Sequence, residues 1–290
     1  MIAAANLAES TRRQYVKAVR NYLATGASLT DQQALSAYAA DLPRSSRAFL
    51  KAAVGQWAKA MATAVKSGAT PANVNQVQAT LYRFEALQEA IQVETTKGQK
   101  AHTWLSPLEV KRLMSLPRLE KLIGRRDKIA LGLCVAAGLR REEAVSLRFE
   151  DIALLPVAGK TRTVLNVKGK GAKDRAVPIN DNLAGDIQAW GEGIGNEGLI
   201  LRRLGLAGRL GESLTAVSLF RLVNKYGRKM GKPALAPHDL RRTYAQLGYE
   251  AGVPITQISR LLGHASVETT QRYLNLELDV ETTVSDFIPY

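Results

Sequence analysis

At 290 residues the chain is long enough for two domains, and a formal charge of +14 points to a polyanionic partner. Ten Lys/Arg against five Asp/Glu precede position 93 and the rest of the excess follows it, so both parts are basic and no charged tail explains the total. A single cysteine, Cys134, excludes an internal disulfide and a multi-cysteine metal site. No apolar run approaches the roughly 18 residues of a spanning helix, and Met1 to Asn6 lacks the basic start of a secretory leader. The expectation is a cytoplasmic, nucleoid-associated protein with no membrane partner.

Residues 1–92 read as helices only. The first runs from Thr11 to Leu23 with Ser10 as N-cap; Tyr15, Val19 and Tyr22 form its apolar face, and Arg12, Arg13, Lys17 and Arg20 fill much of the remainder. Further helices are expected over about Asp31 to Ala40, Ser45 to Val65 and Pro71 to Ile91, together a four-helix bundle. Arg44, Arg47 and Lys51 cluster at the start of the third. Both a solvated helix face and a phosphate- or groove-facing surface fit them.

Val93 to Thr103 has neither helical nor strand periodicity and is the expected linker between domains 1–92 and 104–290. Ser106 as N-cap and Pro107 at the first helical position open the second domain. An apolar run from Ile129 to Ala137 ends at Gly138, and Glu142 and Glu143 fall in the first turn of the next helix. Thr163 to Val167 and Arg175 to Ile179 flank a Gly- and Lys-rich turn, the pattern of a β-hairpin. Gly191 to Gly211, with seven glycines, reads as a loop-rich connection. Helices resume over Val217 to Met230, Asp239 to Ala251, Pro254 to Leu262 and Val267 to Asn275. The class is therefore mainly α with a small antiparallel β-sheet (α+β).

Arg140 is placed at a helix N-terminus, which favours an anion and disfavours a guanidinium; a phosphate held against both, or a simple pair with Glu143, would explain it. His238 and Arg241, three apart, share one face at the start of a helix. They offer a proton-transfer group beside a bidentate cation, which suits a phosphodiester gaining charge in a transition state. His264 follows Gly263 at an exposed helix end, and Tyr273 lies nine residues later. A phenol with a pKa of about 10 needs a base or nearby cations to become a nucleophile. Lys170 sits between Gly169 and Gly171 in the hairpin turn, flanked by Lys168, Lys173 and Arg175, which read as backbone-phosphate contacts. Cys134 lies on an apolar helical run and reads as a buried thiol.

Taken in order, Arg140, Lys170, His238-x-x-Arg241, His264 and Tyr273 resemble the tyrosine recombinase (phage integrase) family. The resemblance implies the DNA breaking-rejoining enzyme fold, preceded by a helical SAM-like core-binding domain, the two closing on duplex DNA. It implies a site-specific recombinase in which Arg140, Arg241 and His264 hold the scissile phosphate with Glu143 in support. Tyr273 attacks, Lys170 protonates the departing 5′-oxygen, and a 3′-phosphotyrosine stores the bond energy without metal or cofactor. Arg242 stands where the family often has histidine, outside the catalytic set. Partners implied are double-stranded recombination sites, a homo-tetramer assembled on DNA through a Holliday junction, and accessory DNA-bending factors. The tail after Tyr273 is expected to dock on a neighbouring protomer, and the arm-type domain of larger phage integrases is not expected, which points to a Xer-like or small mobile-element enzyme. Two rivals share the residues or the fold: a type IB topoisomerase relaxing DNA as a monomer, and a non-cutting DNA-binding protein.

Overall fold

Tyr22, Leu35, Leu50, Val54 and Phe84 are the centre of one apolar core, and a second, larger one forms around Ile129, Leu133, Val177 and Trp190. The computed structural model, which describes residues 7, 9–93, 103–169, 174–205, 208–272 and 274, accordingly divides into two compact units, Met1–Gly98 and Gln99–Tyr290.

The first unit consists of α1 (Glu9–Leu23), α2 (Gln32–Ala40), α3 (Arg44–Ser67) and α4 (Val74–Glu89). Ser10 is a helical residue of α1 and not its cap, because the helix begins at Glu9, where a carboxylate favours the positive end of the helix dipole. Asp31 caps α2 by accepting from Ala34 N–H at 3.0 Å. The long α3 packs on both α1 and α4. Small Ala53 and Ala58 are buried in α3, and Trp57 meets Phe84 edge-on at 5.7 Å between ring centroids. Among the described residues, no helix is long and apolar enough to cross a membrane.

The second unit opens on α5 (Pro107–Ser115), where Ser106 accepts from Glu109 N–H and the Glu109 carboxylate accepts from Ser106 N–H, a reciprocal capping box. The Leu105 N–H donates to Thr243 Oγ1 at 2.9 Å, tying this start to the helix that carries Arg241. At the centre lies α6 (Leu122–Val135), buried along most of its length, followed by α7 (Arg141–Ser146). The expected hairpin is part of a three-stranded antiparallel sheet in the order β1 (Ile152–Val157), β2 (Lys160–Val167), β3 (Arg175–Pro178), with Leu165 opposite Val177. The stretch expected as loop is more ordered: α8 (Asp181–Ile194) runs into it, and β4 (Arg202–Leu204) pairs with β5 (Leu210–Ser213). Its order has a physical source in Trp190, fully buried, whose indole N–H donates to Ile200 O at 2.8 Å. Then follow α9 (Ala216–Lys229), α10 (Pro237–Glu250), α11 (Ile255–Leu262) and α12 (Val267–Gln271).

A buried charged network holds α6, β4 and α9 together. Asp127 Oδ1 accepts from the neighbouring Arg126 guanidinium, and Arg126 Nη1 also reaches Arg202 O at 3.3 Å. Asp127 Oδ2 accepts from Tyr226 O–H at 2.9 Å and from Lys225 Nζ at 3.4 Å. Burial and the Asp127 carboxylate together hold the Tyr226 phenol well above its ordinary value, so it remains a donor. Asp127→Ala strands the Arg126 guanidinium without its carboxylate, and a loss of about 3–5 kcal/mol is expected, read as a lower urea-unfolding midpoint. An unchanged midpoint would show that this network does not hold the three elements.

Candidate active site

Gly138 ends the chain segment after α6 at φ +62, and a Cβ there would lie 2.6 Å from the Tyr244 ring of α10, so only glycine permits this approach. Leu139 is buried, and Arg140 then takes an extended conformation as the N-cap residue of α7. Its backbone N–H and its Nη1 both donate to the Glu143 carboxylate at 2.8 Å, while Nη2 reaches Gly263 O at 3.2 Å. The Arg140 side chain is 41% exposed, so it retains a solvent-facing edge.

Glu143 collects two more guanidiniums. Arg175 of β3 binds it in a fork, Nη1 to Oε1 at 3.0 Å and Nη2 to Oε2 at 2.7 Å. Arg241 of α10 lies 3.9 Å from Oε2 and is 0% exposed. Burial acts to raise the Glu143 carboxyl, but the Arg175 and Arg140 hydrogen bonds outweigh it and bring it down to about 2.

The same three arginines grip the C-terminus of α11. Arg175 Nε donates to Leu261 O at 2.7 Å, Arg241 Nη2 donates to Leu262 O, and Arg140 Nη2 to Gly263 O. Carbonyls at a helix C-terminus lack intrahelical donors and carry partial negative charge, so cations are favourable there. Gly263 turns out of the helix at φ +63, and His264 N–H closes back on Ser259 O at 3.1 Å. This fixes His264 beside the arginines. Its Nδ1 lies 2.8 Å from Thr270 Oγ1 of α12, a fully buried hydroxyl. Burial and then Arg241, Arg140 and Arg175 push the His264 imidazole down to about 4, so it is neutral at pH 7. His238, on the first turn of α10, is likewise lowered by partial burial and by Arg242 and Arg241. Arg242 Nη1 lies 3.3 Å from Asp239 Oδ1 on the same helix.

Arg140, His238 and Arg241 line one cleft of about 310 Å³ with a floor of Leu139 and Pro237. Two guanidiniums and a neutral imidazole around a small concavity can bind a tetrahedral anion and stabilise added charge on its oxygens.

The fold thus brings Arg140, Glu143, His238, Arg241 and His264 together, although they span more than a hundred residues of sequence. Lys170, Lys173 and Tyr273, and the tail beyond Leu274, lie outside the described residues. Lys168 is exposed at the end of β2. Arg175, expected as a phosphate contact, has a largely buried side chain whose guanidinium binds Glu143 and the end of α11. In the first unit Arg47 is also turned to internal use, donating to Ala40 O at 2.9 Å and Leu42 O at 3.1 Å, which closes the turn between α2 and α3. Arg13 pairs with Glu9 on the α1 surface, Arg12 is partly exposed, and Arg44 is exposed. Lys51 lines a surface cleft with Lys59, Lys66 and Tyr15. Burial pushes the Cys134 thiol up to about 12, as expected of an inert core residue. Nothing in the sequence pattern marks Thr270, six residues on in α12, as the partner of His264.

The model of the phage integrase family matches residues 103–278. The tyrosine recombinase XerA of Thermococcus kodakarensis is 32% identical over 282 residues, covering 93% of this chain and 86% of that protein. The chain belongs to the phage integrase family. It is thus a tyrosine recombinase, an enzyme of DNA recombination. XerA of Pyrococcus horikoshii is 34% identical over 221 residues, 74% of this chain and 73% of that protein. Among solved structures, the fold resembles the Tn1549 transposon integrase in complex with transposon right-end DNA (TM-score 0.53, 16% identity, 96% of this chain and 93% of that one). It also resembles a XerA recombinase (TM-score 0.50, 19% identity, 93% and 88%).

Two titrations test this electrostatic account of the recombinase site. Glu143 has a folded pKa below its unfolded value, so its stabilisation is complete above about pH 4.5 and is lost as pH falls through about 2. The stability gap between the native protein and Glu143→Gln should therefore shrink across that window; a gap independent of pH would remove charge as its source. The His264 ring should titrate near pH 4 by NMR, and a value near 6.5 would contradict the lowering by burial and the arginines.

Proposed function

We propose that this tyrosine recombinase exchanges strands at specific duplex DNA sites with Arg140, Lys170, His238, Arg241, His264 and Tyr273 as its catalytic set. The observation that carries the assignment is the convergence of Arg140 and Arg241 on one buried carboxylate, beside two histidines whose imidazoles are held below their ordinary pKa. In this reading the scissile phosphate sits between the two guanidiniums, which gain most as its non-bridging oxygens take up charge. The neutral imidazoles add hydrogen bonds without adding charge. Tyr273 attacks phosphorus, its proton passing to a neighbouring base, and displaces the 5′-oxygen, which takes a proton from Lys170. The product is a 3′-phosphotyrosine, and attack by a 5′-hydroxyl from the other site reverses the step and joins new partners.

The first unit is proposed as the core-binding domain and the second as the catalytic domain. Arg12, Arg13, Arg44, Lys51, Lys168 and Lys173 remain the proposed phosphate contacts, without Arg47 and Arg175. Exchange through a Holliday junction requires four protomers on two sites, with the tail after Tyr273 as the proposed link between neighbours and DNA-bending factors as possible accessories. The named relatives are Xer recombinases and a transposon integrase, which supports a Xer-like or small mobile-element enzyme. Exchange between two sites on a plasmid separates this reading from topoisomerase-like relaxation alone.

Tyr273→Phe is expected to bind DNA normally and form no covalent adduct. Lys170→Ala should cleave roughly 10²–10⁴-fold more slowly, the range for lost general-acid catalysis. A bridging 5′-sulfur makes a leaving group that needs no proton, so it should rescue Lys170→Ala but not Tyr273→Phe. Rescue of Lys173→Ala or His238→Ala instead would move the general acid elsewhere.

A further inference from the structure

The cleft that holds Arg140, His238 and Arg241 has one wall with no part in the reaction described above. Phe220 of α9 lines it, and its side chain is 38% exposed. One helical turn earlier, Val217 is 56% exposed on the same face of α9, while the buried face of the helix is filled by Leu219, Leu222, Val223 and Tyr226. Phe220 is thus surplus to the core. Among the described residues the ring of Phe220 is left partly uncovered, so the cleft that holds the two guanidiniums also presents an apolar element to whatever binds there.

The partner's chemistry follows from the place. A cleft of about 310 Å³ is on the scale of a single nucleotide, so a ring that shares it with the phosphate ligands reaches only the nucleotides bonded to that phosphate. An aromatic ring offers nothing to phosphate oxygens. Its complement on DNA is C–H surface, either the deoxyribose or a thymine methyl at a groove edge. The surrounding charges agree with this division: Arg140 and Arg241 serve the anionic part of the nucleotide, while Leu139, Pro237 and Phe220 meet its apolar part.

We propose that Phe220 is a positioning residue that packs on the C–H surface of the nucleotide bonded to the scissile phosphate and thereby registers the DNA for attack. The proposal rests on the strand-transfer reading above. It predicts that Phe220 acts on the cleavage step at one nucleotide and not on affinity along the whole site.

The test uses the full chain and a nicked duplex recovered by the protein from a randomised pool, with covalent adduct formation as the readout. Phe220→Ala should slow adduct formation roughly ten- to hundredfold, the range for losing one aromatic contact to a nucleotide. Phe220→Tyr and Phe220→Leu should recover most of the rate. Phe220→Ala should stay folded at the assay temperature with at most a modest fall in thermal-unfolding midpoint, because the ring is not in the buried core. Replacing thymine by uracil at the flanking position identifies the source. If the methyl is the contact, the native protein slows on uracil and Phe220→Ala does not; if the sugar is, both are indifferent to uracil and to an abasic nucleotide there. A Phe220→Ala rate equal to that of the native protein overturns the proposal while leaving strand transfer intact. Absence of any adduct with the native protein overturns both.

Discussion

One carboxylate organises the second unit's functional face. Glu143 is buried, and an isolated buried carboxylate would be costly; here its oxygens are bound by Arg140, approached by Arg241 and held in a fork by Arg175. The arginines in turn cap the last carbonyls of α11. The result is a closed arrangement in which α7, β3, α10 and α11 are joined by charge-assisted hydrogen bonds, in addition to the apolar contact of Ala245 and Tyr244 with Ile258 and Leu262 between α10 and α11. Such an arrangement fixes directions as well as distances. Arg241 has no exposed surface and its guanidinium is anchored at Gly138 and Leu262, so it is preorganised before any substrate arrives.

The cost of gathering so much positive charge falls on the histidines. Beside Arg140, Arg175 and Arg241, a protonated His264 would face three cations at low dielectric, and burial adds to the penalty. A neutral ring is therefore the stable form, with Nδ1 engaged by Thr270. In the proposed phosphoryl transfer this would separate the roles: permanent guanidinium charge for the phosphoryl oxygens, uncharged hydrogen bonds for orientation. Arg242, where the family often carries histidine, strengthens that bias, since it lowers His238 further. The departure from the family pattern thus has an electrostatic effect while its side chain is held by Asp239.

Much of this was legible in the sequence. Helices announced themselves through their 3.6-residue periodicity, and Gly138 and Gly263 marked the turns that expose Arg140 and His264. What escaped notice did so for physical reasons. β1 carries Leu154, Leu155 and Val157 exposed and contains Pro156, features that argue against a strand and are tolerated only because it lies at the sheet edge. Arg175 was readable in principle: in a strand with Val177 buried, period-two alternation puts Arg175 on the inward face, but its charge outweighed its parity. Arg47 shows the opposite limit, since nothing in a helix pattern tells that a guanidinium will fold back onto carbonyls of the preceding turn. The Glu143 cluster needed three dimensions, because its members come from three separate segments.

The claim that Glu143 acts by orienting the phosphate-binding arginines is open to one direct measurement. A duplex whose scissile phosphodiester is replaced by an uncharged methylphosphonate no longer needs a guanidinium to offset charge on that oxygen. Adduct formation should fall sharply for both Arg241→Ala and Glu143→Gln on the phosphodiester, and both deficits should largely disappear on the neutral linkage. If Arg241→Ala recovers on methylphosphonate while Glu143→Gln stays as impaired as before, Glu143 does not work through the arginines and the account is wrong.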